Sequence, residues 1–502
     1  MLTRKAILNF LAAVVDQVAR VGVQLVVIPI LLLGLGEAMF GYWQILARSI
    51  QQLLPVDGRS PEALKWKISN LQLDDAVEER QFQVACAFII WLLHLPLLVL
   101  ICWLFFSYMP SLSNVNAQDL EVAKFAGWIL IFNIVILGLT SLLEAVFRGM
   151  NIGYKRVGLL AFTIVLGGVL TVYAVKTGGD IRAVAMAQVC ASFIYLVIFF
   201  AVVKKHLPWL KLRRPSSEQV KDFYSTSLWF MLWEFFSKGV FLGEIIILGL
   251  FASSDLVATY TISAFAASTV TLVVVTAVAA TLPGFGSILE KKEYAKAAKL
   301  RNESTAYISL LIFSIGGLVL LLNESFVNAW AGGKLFAGSV ENILIVICAM
   351  QLVFIRKDAS FINLGINIKQ KVILGLISLI ICLAVGGILI PEYGIVGLCI
   401  SMLIGRLPLS YSFPIISQRL VRAKINLFDI DFVKLSLKVL VLILCWYVGQ
   451  QLLFLSWFEL ILNSALLSVV VFGIYLFLMP VGNRQTLVKR GSHLISKRIG
   501  SH

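Results

Sequence analysis

Residues 6–33 read AILNFLAAVVDQVARVGVQLVVIPILLL. The run exceeds the roughly 20 apolar residues that a helix needs to cross a bilayer's hydrocarbon core. It also carries Asp16, Arg20 and Gln24, each four residues after the last. At helical spacing these three share one face. Asp16 stands about ten residues in, or about 15 Å along the axis at about 1.5 Å per residue, which is near mid-membrane. A charge there costs roughly 3 kcal/mol or more. The run is too apolar for water, and one of its faces is too polar for lipid. A transmembrane helix that turns this face toward protein or a water-filled cavity satisfies both demands. A basic start before an apolar run also suits a signal peptide. This run is too long for one and is interrupted by polar residues, so it reads as a retained first helix.

Similar runs follow at 38–57, 82–106, 125–147, 157–175, 183–203, 223–250, 256–285, 304–322, 340–355, 372–390, 393–415, 437–455 and 460–479. Of the 502 residues, 60% are hydrophobic and 14% charged, far from the even balance of a soluble domain. The sequence therefore predicts an all-α integral membrane protein of about fourteen transmembrane helices, with no loop long enough to fold alone. The seven cysteines lie inside apolar runs without C-x-x-C spacing, and the four histidines are scattered. Neither pattern suggests a metal site, and no cofactor is expected.

The net charge of +15 raises nucleic acid as a partner, but its distribution argues against one. Alternate loops (the N-terminus, 58–81, 148–156, 204–221, 286–303, 356–371, 416–438 and the C-terminus) hold 34 of the 42 Lys and Arg, and the other loops hold 4. Positive charge collects in short cytoplasmic loops. Both termini are therefore expected inside, with an even number of helices between them. The remaining four cations, Arg20, Arg48, Lys238 and Arg406, lie within helices. Arg406, near a helix end, is expected to snorkel toward the interface.

The chain also repeats. Asp16-x-x-x-Arg20 recurs as Glu234-x-x-x-Lys238, and the same offset of 218 carries Glu37 onto Asp255 and Tyr42 onto Tyr260. Gly149-Met150-Asn151-Ile152, followed by Lys155, recurs as Gly365-Ile366-Asn367-Ile368 followed by Lys371. A six-helix unit enters and leaves on the same side, so a duplication gives parallel repeats around a cavity. The expected lobes are 1–215 (helices 1–6) and 216–430 (helices 7–12) around a central cavity. Helices 13 and 14 and a cytoplasmic tail fill 431–502.

The polar stripes within these helices are the candidate sites. Arg20, Arg48 and Lys238, with Gln24 and Gln52, are candidate substrate-binding residues, because cations and amides on a cavity wall attract an anionic polar headgroup. Asp16 and Glu234 are candidates for ion coupling. An intrahelical ion-pair role accounts for Asp16–Arg20 and Glu234–Lys238 equally simply. Arg48 differs, with Gln44 and Gln52 rather than acids four residues away.

Several segments resemble the bacterial oligosaccharide flippase family of the multidrug/oligosaccharidyl-lipid/polysaccharide exporter superfamily. They are Leu35-Gly36-Glu37-Ala38-Met39-Phe40-Gly41-Tyr42-Trp43, Asp57-Gly58, the loop 148–156 and Tyr393-Gly394-Ile395-Val396-Gly397. The resemblance covers the whole chain through short, degenerate motifs and carries over no catalytic residue. It implies alternating access and a polyprenyl-diphosphate-linked oligosaccharide as substrate, an O-antigen or exopolysaccharide repeat unit. That substrate would move from the inner to the outer leaflet of a bacterial cytoplasmic (inner) membrane. Expected partners are this lipid-linked glycan, membrane lipids, H+ or Na+ as a coupling ion, and proteins of polysaccharide assembly. A multidrug/cation antiporter or other lipid exporter of the superfamily is the alternative. It would rely on Asp16 and Glu234, which the buried cations outnumber. An enzyme is not expected, because the longest outer loops, 107–124 and 323–339, hold no cluster of catalytic side chains.

Overall fold

The computed structural model describes residues 2–71, 76–113, 118–156, 158–333, 335–363, 368–422 and 432–486. For 2–13, 112, 276–277, 279–284, 287, 290, 368 and 432 it describes the backbone alone. The repeat residues 365–367 and the tail from 487 lie outside the described residues. Every regular element among the described residues is helical. In order these are α1 (Leu2–Leu53), α2 (Ser60–Asn70), α3 (Val77–Leu112), α4 (Leu120–Gly149), α5 (Leu159–Lys176), α6 (Ile181–His206), α7 (Ser217–Leu242) and α8 (Glu244–Phe251). Then come α9 (Ser254–Ser263), α10 (Phe265–Glu290), α11 (Tyr294–Ala331), α12 (Ser339–Ile362), α13 (Ile368–Gly405), α14 (Leu407–Leu420), α15 (Phe432–Gly449) and α16 (Trp457–Phe477).

Among the described residues, nine helices are long and apolar enough to cross a membrane, or ten if the bent pair of α9 and the start of α10 is one span. The protein is thus a multi-pass membrane protein. Two of these elements each join two of the apolar runs. α1 breaks at Gly36, where φ is 76° and ψ is 166°, a region that only glycine enters freely. α13 breaks at Gly394, where φ is 54° and ψ is −123°. Pro29 sits inside α1 without ending it, and Pro55 falls in the short 3-10 turn Leu54–Asp57 that does. Helix order follows the sequence repeat: Tyr294 opens α11 217 residues after Val77 opens α3.

The loop 58–81 holds more structure than its polarity suggests. Ser60 and Pro61 open α2, since proline at the first turn loses no helical hydrogen bond. Ala63, Leu64 and Ile68 are then buried, while the half-buried Lys65 and Lys67 pair with Glu62 and Asp222.

The chain divides into two compact units, Met1–Ala258 with Ile368–Gly394, and Thr259–Asn367 with Ile395–His502. The first has an aromatic core in which Phe147 meets Phe199 edge-on at 5.1 Å and Tyr195 stacks on Phe199 at 5.5 Å. Its α13 segment places the Lys371 ammonium 4.0 Å over the Trp233 ring, a cation–π contact that partly replaces lost hydration. In the second unit, Arg301 donates to Ser417 at 2.9 Å and to Asp358 at 3.2 Å, and Lys357 lies 3.3 Å from the other Asp358 oxygen. All four side chains are buried. Arg406 stands at the N-terminal boundary of α14, where its side chain makes no capping hydrogen bond, and is fully buried. It does not snorkel, because the surrounding helices enclose it before its side chain can reach an interface.

Candidate functional site

A cavity of about 560 Å³ opens within the first unit, walled by both halves of α1 and by α4, α5 and α6. Its size falls in the range of about 300–1,000 Å³ typical of ligand pockets. Small residues let the walls approach. A Cβ on Gly168 of α5 would meet Val23 of α1 at 2.6 Å. The face anticipated for α1 does turn inward, and Arg20 and Gln24 both line the cavity. From the second half of α1, Gln44 and Gln51 join them.

The hydroxyl groups on the opposite walls have their protons engaged. Thr140 donates to the Ile136 carbonyl at 2.7 Å, Thr163 to Leu159 at 2.8 Å and Thr171 to Gly167 at 2.8 Å. Such back-bonding is the usual fate of a hydroxyl in a membrane helix. The oxygens of these lining residues keep acceptor capacity, that of Thr171 taking a hydrogen bond from Gln188 at 3.3 Å, and the amide oxygen of Asn133 is buried without a partner. Donors come from Arg20 and the glutamine amides. The wall therefore offers both halves of the hydrogen bonds that a polyhydroxylated or phosphorylated group requires.

At one end stands a cluster of charges. Glu144 Oε1 accepts from Arg156 at 2.7 Å and from the Tyr195 hydroxyl at 2.8 Å, and Glu144 Oε2 accepts from Arg148 at 2.9 Å. Arg156 also donates to the Tyr195 oxygen at 3.2 Å. Asp16 lies within electrostatic reach of Arg156, Glu144, Arg20 and Arg148, and its Oδ1 is buried without a hydrogen bond. Glu144, Arg156 and Tyr195 escaped the sequence reading. The available signal was Glu144, a lone acid inside an apolar run and one turn before an arginine.

The other residues singled out from the sequence sit elsewhere. Lys238 donates to the Gln51 main-chain oxygen at 2.9 Å and lies 3.2 Å from Glu234. Glu234 in turn is 3.4 Å from Arg59. Gln52 donates to the Phe235 carbonyl at 3.2 Å. These contacts join the end of α1 to α7. Arg48 is half-buried, between Ala47 and Gln51, and among the described residues neither it nor Lys238 lines the cavity. Of the three cations expected on a cavity wall, Arg20 lines this one among the described residues, and Arg148 and Arg156 stand behind it, bonded to the lining Glu144.

Residues 76–289 match the family model described as polysaccharide biosynthesis protein. No curated protein matches the chain. The fold is similar to that of an inward-facing multidrug resistance MATE family transporter of the MOP superfamily, with a TM-score of 0.66 and 13% identity over 82% of this chain and 100% of that one. It is similar to the lipid II flippase MurJ in an inward closed conformation, with a TM-score of 0.65 and 14% identity over 94% and 98% of the two chains. A third similar structure is a MOP superfamily transporter from Pyrococcus furiosus described as having a binding pocket of reversed polarity. There the TM-score is 0.58 and the identity 12%, over 83% and 95%. The chain therefore carries the fold of the MOP superfamily of transporters, with the polysaccharide biosynthesis family's sequence pattern over residues 76–289.

Proposed function

We propose that this protein is a flippase that carries a polyprenyl-diphosphate-linked oligosaccharide from the inner to the outer leaflet of a bacterial cytoplasmic membrane by alternating access. The observation that carries this reading is the cavity wall, with the Arg20 guanidinium, several amides and an array of hydroxyl acceptors set among apolar helices. Sugar hydroxyls need paired donors and acceptors, and a diphosphate needs a cation. The prenyl tail can remain in lipid throughout. The family match over 76–289 supports a glycan rather than a drug as cargo.

In this reading Arg20 and Gln24 meet the headgroup, and Lys238, Glu234 and Gln52 hold the wall behind it. The lobes are 1–215 and 216–430, both termini are cytoplasmic on the strength of the Lys and Arg distribution, and proteins of polysaccharide assembly are the natural partners. An inside-negative potential favours outward movement of an anion, by about 2.3 kcal/mol per charge per 100 mV. Asp16 and Glu144 at the cavity end favour a second reading, in which H+ or Na+ exchange drives the transport of this or another cargo.

The test is a reconstituted flipping assay with polyprenyl-diphosphate glycans in vesicles, run with and without H+ and Na+ gradients. Arg20→Ala is expected to slow flipping about tenfold or more, the loss of one charge-assisted contact. A wild-type protein that leaves the glycan lipid in place but moves cationic drugs would overturn the proposal.

A further inference from the structure

Glu144, a carboxylate on the cavity wall, is held from behind by two arginines that do not themselves line the cavity. Three donors converge there on one carboxylate: the guanidinium groups of Arg148 and Arg156 and the Tyr195 hydroxyl, at 2.9, 2.7 and 2.8 Å. They come from separately held pieces of chain, α4, the turn Gly153–Arg156 and α6. Tyr195 is further fixed by stacking on Phe199. Arg156 and Tyr195 also hold each other through a 3.2 Å hydrogen bond, so this pair of donors has a contact apart from Glu144, while Arg148 is half exposed on the same helix as Glu144. A carboxylate offers two oxygens to such a fork, and a phosphate offers three with a larger charge. Arginine forks suit phosphate for this geometric reason.

A plain structural ion pair would be sealed away from the cavity, and this one is not. Glu144 and Tyr195 line it, and the side chains of Glu144 and Arg156 keep 15% and 11% of their exposure. Asp16 lies within electrostatic reach of the same group, alongside Arg20, Arg148 and Arg156.

We propose that Arg148, Arg156 and Tyr195 form a phosphate-binding seat that Glu144 occupies in the unloaded protein and that a diphosphate displaces. The assignment of this diphosphate to a lipid-linked glycan rests on the function proposed above. Glu144 then acts as an internal competitor. Weakly charged anions cannot displace it, while a phosphate with more oxygens and more charge can. That makes the seat selective without a dedicated filter.

The experiment is equilibrium binding of inorganic pyrophosphate and, separately, of polyprenyl diphosphate to the full chain in nanodiscs. Glu144→Gln removes the competing charge and keeps the shape, and is expected to bind about tenfold tighter. Arg156→Ala should lose most binding, and Tyr195→Phe should weaken it severalfold. Arg156→Lys serves as a second variant should the alanine protein fail to fold. It keeps the charge but loses the fork, and should bind more weakly than wild type. Tightening by Glu144→Gln with the lipid assigns the seat to a headgroup, and tightening with pyrophosphate alone assigns it to a soluble diphosphate. Unchanged affinity of Glu144→Gln for both probes overturns the seat. A wild-type protein that binds diphosphate but flips no glycan keeps the seat and removes the flippase reading. Flipping that survives Arg148→Ala/Arg156→Ala does the reverse.

Discussion

The Lys238 ammonium donates to the Gln51 main-chain carbonyl at 2.9 Å, tying α7 to the end of α1. The same ammonium lies 3.2 Å from Glu234. A cation that the sequence places in the membrane is thus engaged in packing. Removing it leaves an unfilled carbonyl and a half-paired Glu234, although Arg59 remains 3.4 Å from that carboxylate. Lys238→Met is expected to lower stability by about 1–3 kcal/mol, read as a fall in thermal unfolding temperature in detergent. Transport per folded molecule should persist, in contrast to Arg20→Ala.

Gly41 packs against the backbone at the start of α9. A Cβ there would fall 1.8 Å from the Ser254 carbonyl oxygen, and backbone cannot turn aside as a flexible side chain can. Gly41→Ala should destabilise by more than about 3 kcal/mol and sharply reduce the yield of monodisperse protein. Gly22→Ala is the control, in the same long helix with nothing within 4 Å. It should be neutral or stabilising by up to about 1 kcal/mol, the helix preference of alanine over glycine.

Gly36 isolates backbone strain from crowding. Its φ of 76° and ψ of 166° exclude other residues, while the space around its Cβ position is open. Gly36→Ala should cost about 1–3 kcal/mol. If thermal unfolding is unchanged, the break in α1 is not held in this geometry.

Asp358 neutralises two buried cations, with Arg301 at 3.2 Å and Lys357 at 3.3 Å, and accepts from Ser417 at 2.8 Å. Asp358→Ala leaves Arg301 with the Ser417 hydroxyl and the Pro414 carbonyl and Lys357 with the Thr305 hydroxyl, both charges buried without a counter-charge there, and a broken buried pair costs about 3–5 kcal/mol. Ser417→Ala removes the hydrogen bonds to Asp358 and from Arg301 but leaves the ion pairs, and should cost less, about 1–3 kcal/mol. The order of the two unfolding temperatures checks the assignment.

Much of the site was legible because helical periodicity is local. Asp16, Arg20 and Gln24 at four-residue spacing had to share a face, lipid could not accept that face, and Arg20 and Gln24 line the cavity. Glu144, Arg156 and Tyr195 meet across 12 and 51 residues of chain, and no local pattern encodes that meeting. Arg148 illustrates the difficulty. Counted among the loop cations it carried topology, although its partner Glu144 stands one turn earlier on the same helix, whereas Arg156 meets Glu144 and Tyr195 only through the tertiary fold. Lys238 shows the converse, since its spacing from Glu234 repeats that of Asp16 and Arg20 yet its ammonium turns to a carbonyl 187 residues away.

The amino-acid sequence by itself determined that this is a helical membrane protein, where its apolar runs fall and which helix faces cannot meet lipid. These properties follow from hydropathy and the 3.6-residue period, which act over a few turns at a time. Only the tertiary structure decided how the intramembrane cations divide between cavity wall and packing, and that Glu144 lies within an arginine fork. Those outcomes depend on distances between helices remote in sequence, where a shift of a few ångströms exchanges one hydrogen-bond partner for another.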